Sequence, residues 1–310
     1  MKRLAVIDCG TNTFNLLIVE TENNRYKKVF KTRIPVKLGE DTINLGYINS
    51  FAFERGILAI NNFKTICNNY NVNEIYAFAT SAIRDASNGI TFTKDVKNKF
   101  NIDIRIIDGN EEAELIYHGN KQAVPLNDKI SLIMDIGGGS NEFILCNKDT
   151  IFWKQSFKLG AARLIEKFKP EDKISLKTID ALNNYLNVEL KDLHNACDKY
   201  CPIELVGSSG AFDSIIEMIH GEFNGEMLED FKHCYEVDLN KFNLISEKII
   251  NSNYKQRTEI KGLVEMRIDM IVISCILIKN ILDKLNLQNM RVSTYSLKEG
   301  ALYKILNKIK

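Results

Sequence analysis

Leu4-Ala5-Val6-Ile7-Asp8-Cys9-Gly10-Thr11-Asn12-Thr13-Phe14-Asn15-Leu16-Leu17-Ile18-Val19 is an apolar run ending in an aspartate, then a small polar loop opened by a glycine, then a second apolar run. The same order returns at residues 132–146, where the run ends in Asp135-Ile136-Gly137-Gly138-Gly139-Ser140-Asn141-Glu142. The chain therefore contains an internal repeat, and each copy reads as strand, Gly-rich turn, strand. A Walker loop or a dinucleotide fingerprint should open a helix directly after its glycines, so neither reading survives.

An aspartate at the carboxyl end of a buried strand can hold a hydrated magnesium ion or another divalent cation, which keeps several waters and bridges to phosphate oxygens. Gly10 permits a tight turn whose backbone N–H groups form an anion nest, and Thr11 and Asn12 add side-chain donors. Taken alone, such a hairpin is more often a plain turn. Its copy alters the balance, because Gly137, Gly138 and Gly139 would weaken a sheet unless a backbone had to approach something closely.

Outward from the hairpins, 310 residues are about twice the usual domain size, which predicts two domains, 1–125 and 126–310, divided near Pro125. Between the repeats the pattern predicts helix 53–70, strand 74–80, helix 92–100, strand 103–107 and helix 110–118. The second half is more helical, with periodic stretches at 161–168, 175–200, 240–251 and 268–285, and strands at 204–206 and 291–294 keep it α/β.

The composition is ordinary, 45% apolar and 26% charged, and 41 basic residues face 40 acidic ones. There is no global field, so any grip on a polyanion must be local, and nothing suggests a nucleic-acid partner. The first ten residues are too short for a signal-peptide core, and the longest apolar run, 270–278, cannot span a bilayer. Seven scattered cysteines, most in apolar stretches, suit buried thiols in a reducing compartment. These features predict a cytoplasmic protein without a membrane partner; a homodimer is compatible with them.

Several further segments could carry chemistry. Thr80-Ser81-Ala82-Ile83-Arg84-Asp85 follows a strand, and Arg84 there could fork onto phosphate oxygens or be a surface arginine at a helix start. Asn110-Glu111-Glu112 caps a helix and complements its dipole, yet a carboxylate near magnesium and phosphate is also what orients an attacking water. Gly207-Ser208-Ser209-Gly210 is either a strand-to-helix turn or a helix N-terminus offering N–H groups to an anion. His194, Cys197 and Cys201 share a helical face but lack a fourth zinc ligand. His118, His220 and His233 suggest no triad, and no serine sits on a nucleophile elbow.

At these residues the sequence resembles the exopolyphosphatase and guanosine-pentaphosphate phosphohydrolase family, within the sugar kinase, heat-shock ATPase and actin superfamily. The resemblance spans nearly the whole chain: both hairpins, 79–88, 109–115, 157–164, 207–210 and Arg267-Ile268-Asp269-Met270. It implies two ribonuclease-H-like (actin-like) α/β domains flanking a cleft, and release of terminal phosphate from inorganic polyphosphate or guanosine pentaphosphate, a stringent-response nucleotide. It implies that Glu112 rather than Glu111 is the general base, that Arg84 contacts the phosphate chain, that both hairpin loops grip phosphate, and that Asp8 and Asp135 organise magnesium. Three positions depart from the family's pattern: Asn141 and Ala211 stand where threonines are usual, and Lys298 where an arginine is usual. The sequence stops near residue 310, without the additional helical domains of longer members. With only local cations such as Arg84, Arg163 and Arg267, short or medium polyphosphate is expected to serve at least as well as long chains. An ATP-dependent kinase of the same superfamily and a non-catalytic sensor of nucleotide or polyphosphate are the rival readings.

Overall fold

The computed structural model describes residues 2–22, 25–225 and 232–308, and among these the chain forms two mixed sheets. The first holds β1 (Lys2–Cys9), β2 (Thr13–Glu22), β3 (Arg25–Pro35), β4 (Glu74–Ala79) and β5 (Ile104–Ile106) in the order β3-β2-β1-β4-β5. The second holds β6 (Ser131–Ile136), β7 (Asn141–Cys146), β8 (Ile151–Phe157), β9 (Leu205–Ser208), β10 (Cys234–Val237) and β11 (Met290–Ser293). Its order, β8-β7-β6-β9-β11-β10 read from the matching edge, repeats the first with one extra antiparallel strand, β10. The duplication seen in the hairpins thus extends to the whole topology, two ribonuclease-H-like units in one chain.

The helices are α1 (Ser50–Asn69), α2 (Ser81–Arg84), α3 (Gly89–Phe100), α4 (Gly109–Ala123), α5 (Ala161–Phe168), α6 (Leu176–Glu189), α7 (Lys191–Tyr200), α8 (Gly210–Ile219), α9 (Leu239–Ile250), α10 (Tyr254–Thr258), α11 (Ile268–Lys284) and α12 (Leu297–Asn307). The periodic stretch 175–200 is two helices, because the pattern breaks at Leu190, which caps α6 and precedes α7. Sequence periodicity missed β3, whose alternation is blurred by exposed lysines, and β8, β10, α10 and α12.

Strand parity positions the site. Side chains of a strand alternate between faces. On β1, Ala5, Ile7 and Cys9 enter the core under α1 and α3, whereas Leu4 and Val6 face a central layer. On β6, Leu132, Met134 and Ile136 enter the core of the second unit, and Ile133 faces the same central layer. Asp8 and Asp135 continue the inward series, so the two aspartates come from opposite sheets toward one space.

That central layer is α4 and α12, each the helix that follows the last strand of its unit. They cross so closely that a Cβ on Gly300 would stand 1.7 Å from the Leu115 carbonyl oxygen, and one on Gly119 would stand 2.1 Å from that of Ser296. Only glycine permits this approach. Glu114 of α4 ties the layer together, accepting from Lys154 Nζ of β8 at 2.9 Å and Lys304 Nζ of α12 at 2.8 Å. No helix among the described residues is long and apolar enough to cross a membrane.

Candidate active site

The two hairpins close with the same bond. Gly10 N donates to Thr13 O at 3.2 Å, and Gly137 N donates to Ser140 O at 3.0 Å. The carbonyl groups of the first loop are engaged on its outer side: Asn12 O accepts from Val36 N and Lys37 N, both at 2.9 Å, and Thr11 O from Leu38 N at 2.7 Å. The second loop is braced by the start of α5, where Ala161 N and Arg163 N donate to Gly137 O and Gly138 O at 3.0 and 3.1 Å. With carbonyls held outward, the concave side is left to the amides, the geometry of an anion nest.

Small residues let the loops meet. A Cβ on Gly139 would lie 2.5 Å from Ser81 Oγ and 2.6 Å from Thr11 Oγ1. Between the loops lies a cavity of about 90 Å³, room for a phosphoryl group rather than a chain of them. Its lining brings together Asp8, residues 10–13, Glu112, Asp135, residues 137–140 and Ser209. Gly207 and Ser208 lie behind it: Gly207 backs onto the Phe212 ring, and Ser208 donates through Oγ to Asp135 Oδ2 at 2.6 Å. Ser296, at the N-cap of α12, donates to the same oxygen at 2.6 Å. Ser209 adopts φ +77° and ψ 174°, a region that costs a non-glycine residue about 1–3 kcal/mol and that clusters at ligand clamps.

Glu112 stands on the first turn of α4, 6% exposed, and its Oε2 accepts from Arg84 Nη1 at 2.7 Å. Glu111, its neighbour, pairs instead with Arg105 at the surface. Burial, reinforced by the nearby Glu142 charge, holds the Glu112 carboxyl well above the usual carboxylate range, although Arg84 pulls it down.

Glu142 is the functional candidate that sequence reading quoted without assigning. It pairs across the hairpin with Asp135 as Asn15 pairs with Asp8, so it occupies the duplicate of the position from which Asn15 Nδ2 donates to Asp8 Oδ2 at 3.0 Å. A glutamate in a wholly buried strand, directly before the apolar run 143–146, was the available signal. Its Oε1 accepts from Ser156 Oγ at 2.6 Å, and burial and then Asp135 push it to about 7. Asp8 rises to about 6, chiefly through burial and against the pull of Lys298 and Asn15. Burial also raises Asp135, opposed by its hydroxyl donors.

Other placements refine the sequence reading. Arg163 is spent on structure rather than offered to a ligand: Nε donates to Gly139 O at 2.9 Å, Nη1 to Ile43 O at 3.1 Å and Nη2 to Asp85 Oδ2 at 2.9 Å. Asn141 points away from the loops, its Nδ2 on Leu159 O at 2.9 Å. Ala211 is buried, and Lys298 pairs with Glu299 at 3.3 Å beneath Asp8. Of the cysteine and histidine face on α7, Cys197 is buried and Cys201 exposed.

Comparison with known proteins accords with this arrangement. Residues 17–309 match the Ppx/GppA phosphatase family. The chain belongs to that family. It is 32% identical over 296 residues to a bifunctional 3-dehydroquinate synthase/phosphatase from Fusobacterium nucleatum, covering 90% of this chain and 43% of that protein, so the chain spans less than half of that relative's length. It is 24% identical to exopolyphosphatase 1 of Mycobacterium bovis, over 98% of this chain and 88% of the relative. The crystal structure of an exopolyphosphatase from Cytophaga hutchinsonii superposes with a TM-score of 0.97 at 39% identity, covering 100% of this chain and 99% of that one. As a Ppx/GppA family member the chain has the two-domain actin-like fold of a phosphatase-family hydrolase.

Proposed function

We propose that this phosphatase-family member releases the terminal orthophosphate of a phosphate chain, inorganic polyphosphate or guanosine pentaphosphate, by attack of water. The observation that carries the reading is Glu112: a carboxylate of raised pKa, buried beside a phosphate-sized cavity between two anion nests. Burial raises the Glu112 carboxyl above the ordinary carboxylate range, which strengthens it as a proton acceptor. The terminal phosphoryl group occupies the cavity, its oxygens taking hydrogen bonds from the amides of residues 11–12 and 138–139 and from the hydroxyls of Thr11 and Ser140. Glu112 accepts a proton from water as the water oxygen bonds to phosphorus in line with the bridging oxygen. The bridging P–O bond breaks, and its electron pair leaves on the shortened chain. Arg84 orients the base and offers its remaining N–H groups to the phosphate.

Magnesium fits the donor set. Asp8, Asp135 and Glu142 are hard oxygen donors whose burial leaves their charges poorly compensated, which a cation would relieve. No group of three or more such residues converges at ligand spacing among the described residues, and magnesium, which keeps waters and binds one or two carboxylates plus phosphate oxygens, asks for no more. When held by Asp8 and Asp135, it would supply positive charge that offsets the negative charge developing on the leaving oxygen. The test is phosphate release from both substrates, with magnesium, side by side with transfer from ATP to candidate acceptors. Release to water supports the hydrolase; acceptor-dependent transfer from ATP would favour the kinase reading, and binding without either would favour the sensor.

A further inference from the structure

Arg163, on the first turn of α5, joins three segments to its own helix through one side chain, and the residue is 9% exposed. Its backbone N–H donates to Gly138 O at 3.1 Å and its Nε to Gly139 O at 2.9 Å, so one residue turns two consecutive carbonyl groups of the second loop outward. Nη1 crosses to the first unit, donating to Ile43 O at 3.1 Å and to Asn44 Oδ1 at 3.4 Å. Nη2 crosses to α2, donating to Asp85 Oδ2 at 2.9 Å and to Ser81 Oγ at 3.4 Å. These five acceptors equal in number the five N–H groups of a guanidinium.

Each partner in the first unit is itself tied to the site. Ile43 and Asn44 belong to the turn-rich segment 36–46 between β3 and α1, whose Val36, Lys37 and Leu38 amides hold the carbonyl groups of the first loop. Asn44 returns the contact: its Nδ2 donates to Arg163 O at 3.1 Å and its N–H to Glu166 Oε2 at 3.3 Å. Asp85 directly follows Arg84, the donor to Glu112. A circuit of hydrogen bonds therefore runs from the first loop through segment 36–46 and Arg163 to the second loop, with a branch toward Glu112. Apolar packing is non-directional and would join the units without fixing their register, whereas hydrogen bonds are directional. A rigid fork with donors on several sides meets all these acceptors at once, which offsets the cost of burying its charge.

We infer that Arg163 is a positioning residue for phosphate release, setting the span between the two hairpin loops and the aim of the second. It does not line the phosphate-sized cavity. The inference rests on the phosphohydrolase reading and deepens it by naming what holds the two halves of that site in register. A phosphoryl group gripped by both loops must lie in line with the water on Glu112, so loosening the circuit costs alignment more than grip.

The experiment compares Arg163→Lys, Asn44→Ala and the double variant with the natural chain, with magnesium, on the better of tripolyphosphate and guanosine pentaphosphate. It reads kcat, KM, the pH–rate profile and thermal melts. Lysine keeps the charge but is a point donor that cannot span Gly139 O, Ile43 O and Asp85 together. Arg163→Lys should lower kcat about tenfold or more, with KM changed less than about threefold and the acidic limb of the pH profile unmoved. Asn44→Ala, at an exposed position, removes one link of the circuit and should lower kcat about threefold, an effect that shrinks in the Arg163→Lys background. Should Arg163→Lys fail to fold, Asn44→Ala decides alone: a loss of kcat at constant KM supports the inference, and unchanged kcat overturns it. A rise in KM at constant kcat, which would make Arg163 a substrate contact, a shifted acidic limb, or a kcat loss that tracks the unfolded fraction overturns it as well. All of these leave the hydrolase reading intact. No release by the natural chain from either substrate overturns the hydrolase reading and the inference with it.

Discussion

Arg84 and Glu112 form a part-buried ion pair, Nη1 to Oε2 at 2.7 Å, reaching from the helix after β4 to the helix after β5. Arg84 Nη1 also donates to Ile107 O at 3.2 Å, so the guanidinium is anchored to the backbone that leads into α4. The proposed base and the proposed phosphate-binding arginine therefore form one mechanical unit, so that substitutions of the two should have coupled effects.

Glu112→Gln keeps the shape and removes the base. Phosphate release should fall by roughly 10²–10⁴-fold, the range of a positioned general base, while substrate dissociation changes little. Turnover and equilibrium binding measured on the same preparation check this, and unchanged release would remove Glu112 from the mechanism.

Arg84→Ala should act on both steps. Losing a charge-assisted donor should lower kcat/KM about 10–100-fold. Arg84 also pulls the Glu112 pKa down, so its loss raises that pKa further. Glu112 works only when ionised, so activity is lost as pH falls through its pKa, and the acidic limb of the pH–rate profile should move to higher pH. A profile that loses amplitude without moving would show that the pair is not coupled.

Stability should depend on pH and cation together. Asp8 and Glu142 titrate near 6 and 7 in the folded protein, against about 3.9 and 4.3 for unperturbed groups. Between these limits the folded state holds more protons than the unfolded one, so stability in chelator falls as pH rises from about 4 toward 7. Magnesium should therefore raise Tm more at pH 8 than at pH 5, and excess chelator should abolish phosphate release. Thermal melts at the two pH values decide it: an equal Tm gain at both, or full turnover in chelator, would contradict the cation site.

Gly139→Ala places a methyl group 2.5 Å from Ser81 Oγ and 2.6 Å from Thr11 Oγ1, closer than atoms can pack. The loops must part, and a displacement of the order of 1 Å can cost about 10²-fold in rate. Steady-state kinetics with a thermal melt as control will show whether the loss exceeds any drop in stability.

How far the sequence reached can be read at single residues. The hairpins were legible because an aspartate, one residue and a glycine between apolar runs is a local pattern, and it came twice. Glu142 was quoted but passed over because its meaning depends on which residue it faces across the strands. Arg163 seemed a free cation, since nothing local reveals that its donors reach Ile43 and Asp85 of the other unit. Ser296 lies 161 positions from Asp135, and no periodicity connects them. Patterns of period 2 and 3.6 reveal faces, whereas contacts between distant segments need the fold.

The bond from Ser296 to Asp135 also has a temporal meaning. A ribosome delivers β1, both hairpins, Arg84 and Glu112 long before α12, yet Asp135 lacks one of its serine donors, and α4 lacks its packing partner, until residues 296–302 have emerged. An unfinished chain therefore carries both hairpin loops without a completed candidate site, and the central layer between the two halves is finished only when a late segment, α12, packs against α4.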